Sequence, residues 1–340
     1  MAMKKIFGLL TGLLLSGLVM AADIELAPAH PERYVVVKGD TLWDISEMFL
    51  KTPWRWPEIW QANDQIANPH LIYPGDIIEL SFVDGQPRLT LRRGNKKLSP
   101  SIRTSSNEDA IPSIPIDAIA AFLTNPRVLS RGEYEAAPYI VAFSDEHILG
   151  SAGINGYVRS LDEDNVGQYI VVRQGEEYKD GETGESLGFE SIFIADSFVK
   201  QTGDPATVTL SKSTREARQG DRLLPPIEGK MRQSFFPHAP SSDISGHIIG
   251  VVDGVTQIGQ YDVVVIDRGE QDGIEVGHVL IVDHAGETIR DTTNGRTSKV
   301  TLPDEQAGVL MVFRVFDRVS YGLVMKATRV MHRLDVVRTP

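Results

Sequence analysis

The chain of 340 residues contains no cysteine. That removes thiol nucleophiles, disulfide staples and acylation at an N-terminal cysteine, so each folded unit must rest on its own apolar core. Basic residues are also few. Lys and Arg number 34 against 46 Asp and Glu, for a formal charge of −12, and an acidic chain of this kind is not built to hold nucleic-acid phosphates. The eight histidines show no pair at metal-ligand spacing. No Gly-x-Ser-x-Gly turn occurs. The run "DRGEQDG" (267–273) lacks the alternating ligands and bidentate Glu of an EF-hand loop, and is expected to be a hairpin turn. "GSAGING" (150–156) is a glycine-rich turn outside any phosphate-binding context. These absences leave no catalytic constellation. The expectation is a protein that is not an enzyme, with no cofactor and no metal site.

The one long apolar run lies at the N-terminus. Lys4 and Lys5 precede an apolar stretch over residues 6–20, and Val19-Met20-Ala21 offers small residues for cleavage. The stretch runs to about 15 residues, short of the roughly 20 that span a bilayer. A cleavable signal peptide over residues 1–21 is therefore expected. It implies export to the periplasm and no integral membrane segment after cleavage. Losing both lysines and no acid takes the mature charge to about −14.

The first folded unit begins at "VVVKGDTLWDIS" (35–46). Its β-branched residues predict a strand over residues 34–38, ended by Gly39, with Asp40 as the N-cap of a helix. Leu42, Ile45 and Phe49 then form one apolar stripe. Thr52-Pro53 breaks the pattern. A second helix starts near Pro57 and runs to Asn63. "NPHLIYPGDIIEL" (68–80) supplies a Pro74-Gly75 turn and a last strand over residues 76–80. Such a small strand–helix–helix–strand unit needs large side chains, and most of Trp54, Trp56 and Trp60 are expected in its core.

These motifs closely resemble the LysM peptidoglycan-binding module over residues 32–83: the Gly-Asp-Thr-Leu turn, the Asn that ends helix two, and the Pro-Gly before the last strand. The inserted "DQIANPH" (64–70) departs from the shorter form of the family. The resemblance implies a shallow carbohydrate-binding groove with two walls. One would be Gly39, Asp40, Thr41 and Leu42; the other Asn68, Pro69, His70, Leu71, Ile72 and Tyr73. N-acetylglucosamine-containing glycan strands of peptidoglycan would lie between them. Acetamido groups suit exposed backbone donors and acceptors, and sugar faces suit Leu and Tyr. Asp40 serves equally as a helix cap, and His70 as an ordinary exposed loop residue.

Residues 84–130 read as a basic hairpin and linker ending in a short helix. Residues 85–103 carry six Lys or Arg and no acid. That charge suits stem-peptide carboxylates or simply a solvated hairpin. "TSSNEDAIPSIP" (104–115) is a turn-rich connector, and residues 116–123 a brief helix. A weak repeat follows. "GQYIVVRQGEEYKDGETGESLG" (167–188) echoes "GQYDVVVIDRGEQDGIEVGHVL" (259–280), with Tyr169 and Tyr261 as counterparts. Both copies end in a strand and a polar turn. Val319, Tyr321, Leu323, Met325 and Ala327 alternate, which predicts a strand with one apolar face. Two related β domains are expected, over residues 131–228 and 243–340, joined by a linker (229–242) in which Phe235-Phe236 could pack back or serve as a docking point. The fold class is α+β: a small βααβ LysM module followed by two related mostly-β domains.

The second β domain is similar to the C-terminal domain of flagellar assembly protein T, on "VVVIDRGEQDGIEVGHVLIV" and "AGVLMVFRVFDRVSYGLV". Signal peptide, LysM and that domain together resemble the layout of the type IV pilus secretin-associated proteins (TsaP). The resemblance implies a non-enzymatic anchor between peptidoglycan and an outer-membrane secretin. A general envelope-stabilising protein is the alternative. The targeting part of a cell-wall hydrolase is a further one, although no hydrolase site follows the LysM motif.

Overall fold

The structure, a computed structural model, describes residues 24–60, 72–83, 85–93, 110–124, 127–162, 167–226, 235–251, 257–286, 288–293 and 298–340. The expected signal peptide lies outside these residues. No helix among them is long and apolar enough to cross a membrane.

The N-terminal unit contains strand β1 (Arg33–Val35), helix α1 (Leu42–Phe49), a 3-10 turn (Pro53–Arg55) and helix α2 (Trp56–Trp60). Strands β2 (Ile77–Val83) and β3 (Gln86–Arg92) complete it in the sheet order β1-β2-β3. β3 pairs with β2 along its whole length and sends Leu89 into the core. Part of the basic stretch is therefore a third strand of this sheet, which continues beyond the expected end of the module. The predicted stripe of Leu42, Ile45 and Phe49 is buried together with Trp56, Ile59, Trp60, Ile72 and Ile78.

The two C-terminal units are closed barrels of one topology. In the first, β5 (Tyr139–Phe143), β6 (Asn155–Arg159), β7 (Gln168–Lys179), β8 (Ser186–Gln201), β9 (Ala206–Ser213) and β10 (Arg222–Leu224) pair in the order β8-β7-β10-β5-β6-β9, and β9 returns to β8. The second uses β11 (Ser245–Val251), β12 (Val263–Ile266), β13 (Val279–His284), β16 (Glu305–Val315), β17 (Ser320–Ala327) and β18 (Val336–Arg338), in the order β11-β12-β17-β16-β13-β18. Each pairing of the first has its counterpart in the second.

The bonds between strand ends repeat as well. The Ile140 N–H donates to Asp221 O and the Gly220 N–H to Ile140 O; likewise Ile248 N–H to Asp335 O and Leu334 N–H to Ile248 O. Asp221 and Asp335 each accept a backbone N–H three residues earlier, from Arg218 (2.7 Å) and His332 (2.8 Å). Gly220 and Leu334 share a positive φ, 91° and 70°. These equivalences set the repeat at 108 positions in its first half (Ile140, Ile248) and 114 in its second (Asp221, Asp335). Tyr169 and Tyr261, 92 apart, are not counterparts. Tyr169 lies within β7, whereas Tyr261 precedes β12, the counterpart of β6.

Closure leaves few free edges. Strand β4 (Arg127–Leu129) lies on β8 outside the first barrel, and β14 (Thr288–Asp291) with β15 (Ser298–Thr301) forms a separate exposed hairpin. "DRGEQDG" is no hairpin turn. It joins β12 to β13, which do not pair, through a single 3-10 turn (Glu270–Asp272).

The second barrel is apolar on both faces. Ile248, Val264, Ile266, Leu280, Val282, Leu310, Val312 and Val324 belong to one cluster, and Val263, Val265, Val279, Ile281, Val309, Met311, Leu323 and Met325 to another. Runs such as "VVVI" and "VLMVF", apolar at successive positions, are what double-sided burial demands. The stripe Val319-Tyr321-Leu323-Met325 belongs to the second of these clusters, together with groups from every other unit. They are Trp43 from α1, Ile114, Ile119 of α3 (Ile116–Thr124), Tyr178 of the first barrel, and Phe235. Every other unit therefore packs on this barrel's outer face.

Candidate functional site

The turn before α1 forms the first expected wall. Gly39 sits at φ 102°, a conformation that L side chains rarely adopt. It lets the chain reverse before the helix. The expected cap is off by one residue. Thr41 is the N-cap, its Oγ1 accepting the Asp44 N–H at 3.1 Å. The Asp40 carboxylate instead braces the turn, accepting the Val37 N–H (2.9 Å) and the Tyr34 hydroxyl (3.0 Å). Tyr34 is held above its usual pKa by burial and by Asp40. Thr41 is buried, and Leu42 packs in the LysM core. This wall therefore presents mainly backbone.

On the second wall, Ile72 is fully buried and Tyr73 half-buried, the latter's N–H donating to Asp76 Oδ2 at 3.0 Å. Asn68, Pro69, His70 and Leu71 lie outside the described residues. Two turn bonds tie the walls to one frame, Gly75 N–H to Val36 O (2.7 Å) and Val36 N–H to Asp76 O (2.9 Å). Of the basic stretch, Arg92 is already paired with Glu79 at 2.9 Å. Lys96, Lys97 and Arg103 lie outside the described residues.

Helix α1 has a second working face that its apolar stripe does not reveal. Trp43 leaves the LysM core and enters the cluster on the barrel. Beside it the Tyr261 hydroxyl donates to Asp44 Oδ1 at 3.1 Å, and Lys326 pairs with Glu47. Burial, with Asp44 next, pushes Tyr261 up to about 12, so its phenol is a neutral donor at ordinary pH. Trp56 meets Phe236 with ring centroids 6.3 Å apart, while Phe235 is buried. Phe235-Phe236 thus does pack back. An off-stripe Trp on a short helix was the available signal for this dock.

Two further side-chain groups gather from distant segments, which is why spacing missed them. His238, Glu275 and His278 bring possible ligand atoms within 4.8 Å, as do His284, His332 and Asp335. In the first, the Glu275 N–H donates to His278 Nδ1 at 3.0 Å, so the neutral ring carries its proton on Nε2. A ring that ligates through Nε2 needs the opposite tautomer. In the second, Asp335 is spent on the His332 N–H and on His284 Nδ1 (2.8 Å). A cavity of about 420 Å³ opens between the barrels, bordered by Arg131, Glu133, Glu177, Phe189 and Arg318. Its charged groups are engaged, Arg318 with Glu185 and Glu133 with Ser130.

No curated protein matches the chain. Residues 34–81 match the family model for the LysM domain. The match covers α1, α2 and the residues expected for both walls. The N-terminal unit is a LysM domain, a peptidoglycan- and carbohydrate-binding unit rather than a catalytic one.

Proposed function

We propose that this is a non-enzymatic, exported envelope protein that holds peptidoglycan through its LysM domain and a second envelope component through its barrels. N-acetylated glycan would run between the residue 39–42 turn and the residue 68–73 loop. The observation that carries the reading is the LysM match over residues 34–81, which includes both walls. The periplasm is the compartment, after removal of residues 1–21. The barrel partner we favour is an outer-membrane secretin of a type IV pilus, on the resemblance of the domain layout. A closed barrel docks such a partner through surface side chains or through the exposed β14–β15 hairpin, not through a free edge on the barrel itself.

The mature chain should pellet with insoluble peptidoglycan, and soluble N-acetylglucosamine oligomers should release it. Tyr73→Ala removes a half-buried ring from one wall and should weaken pelleting about tenfold, the usual cost of a central aromatic contact. Failure to pellet, or pelleting that the oligomers do not reverse, contradicts the glycan reading.

A further inference from the structure

One described residue of each wall, Leu42 and Ile72, is already bonded to a short run of this same chain. The Leu42 N–H donates to Pro112 O at 3.0 Å and the Trp43 N–H to Ser113 O at 3.2 Å. From the same run, the Ile111 N–H donates to Ile72 O at 2.8 Å. Three consecutive residues thus take a donor from one wall (Leu42), the next N–H of α1 (Trp43) and an acceptor from the other wall (Ile72). The run is held at both ends. Ile111 is buried in the LysM core and Ile114 in the cluster on the barrel. Ser113 is buried too, and its Oγ accepts the Phe235 N–H at 3.2 Å. Pro112 and Pro115 keep the preceding residues extended, the shape that fits a shallow groove.

An acetamido sugar recognised by backbone would need the same kind of N–H and C=O groups. A backbone donor already paired to a buried carbonyl cannot serve a second acceptor without losing the first bond. We propose that residues 111–114 cover the part of the LysM groove between Leu42 and Ile72 in the free protein, and that glycan binds only when this segment withdraws. The inference rests on the glycan reading of the groove. An occupant tethered in the same chain competes at an effective concentration of order millimolar. The apparent affinity for glycan falls by the fraction of molecules in which the groove is open. The segment is anchored on the barrel side through Ile114 and Phe235, so its withdrawal is coupled to the barrel.

The test compares the full mature chain with Ile111→Asp, which places a charge in the LysM core and should expel the segment. Ile111→Ala is a milder variant that keeps the proposal testable if the charge prevents folding. Amide exchange at Leu42 and Trp43 is measured without ligand, and affinity for an N-acetylglucosamine oligomer by calorimetry. We expect faster exchange at both amides and oligomer binding about ten- to a hundredfold tighter in Ile111→Asp, with Ile111→Ala between it and the parent. Unchanged exchange in both variants overturns the proposal. So does faster exchange with parental affinity, because the segment then leaves without competing. If neither parent nor variants bind the oligomer, the glycan reading fails and takes the competition with it, an outcome distinct from equal binding by all three.

Discussion

Trp43→Ala should detach the LysM domain from the second barrel while leaving the domain itself folded. The indole is buried against Ile114, Ile119 and Phe235 on the barrel's outer face, whereas the LysM core is built from Leu42, Ile45, Phe49 and Trp56. Truncating a buried Trp in such a cluster costs about 3–5 kcal/mol. That is larger than any one neighbouring polar contact, since the Tyr261–Asp44 hydrogen bond and the Lys326–Glu47 pair are half-exposed and worth about 1 kcal/mol each. It leaves Trp54 and the Trp56–Phe236 contact as the remaining apolar links. Calorimetry should show one unfolding transition in the parent and two in the variant, the earlier one belonging to a freed LysM domain. A single transition at the parental temperature would mean that Trp43 does not hold the dock.

A fragment of residues 131–340 should aggregate, although it contains both barrels. It loses Trp43, Ile114 and Ile119, and so bares the face formed by Val263, Val265, Met311, Leu323 and Met325. Contiguous apolar patches beyond a few hundred Å² are rare on soluble monomers and drive association. The fragment also lacks β4, which pairs with β8 and buries Leu129. A fragment of residues 110–340 restores α3 and β4 and should be markedly less prone to associate. Light scattering and binding of an apolar dye separate the two. If residues 131–340 form a monomer that ignores the dye, the outer face does not depend on its covers. Point variants therefore suit any test of glycan binding better than domain deletion does.

What was legible in the sequence was local. The Gly39 reversal, the Leu42-Ile45-Phe49 stripe and the Pro74-Gly75 turn are fixed by residues a few positions apart, and the structure holds each. The N-cap slipped from Asp40 to Thr41 because both residue types cap well, and the choice depends on where Asp40 finds donors. The repeat was visible, but its offset was not. Glycine turns recur throughout a small barrel, whereas the true counterparts, Asp221 and Asp335, are marked by the turn bonds they accept. Double-sided burial was latent in "VVVI" and "VLIV", yet nothing in a strand announces which neighbour covers its second face. The segment "AIPSIP" looks like a connector from its prolines. Its pairing with Leu42, Trp43 and Ile72 joins positions far apart in the chain, and no periodicity records that. His238 with His278, and His284 with His332, came together for the same reason.

The LysM groove, with residues 111–113 bonded to Leu42, Trp43 and Ile72, is the surface on which both proposals depend. The most direct test is amide-resolved NMR of the intact mature chain titrated with an N-acetylglucosamine oligomer. The prediction is that shifts concentrate at residues 39–43 and 72–73, and that Ile111 and Ser113 move with them as the segment leaves. Shifts confined to the cavity between the barrels, around Arg131, Phe189 and Arg318, with residues 39–43 and 111–113 unmoved, would contradict it.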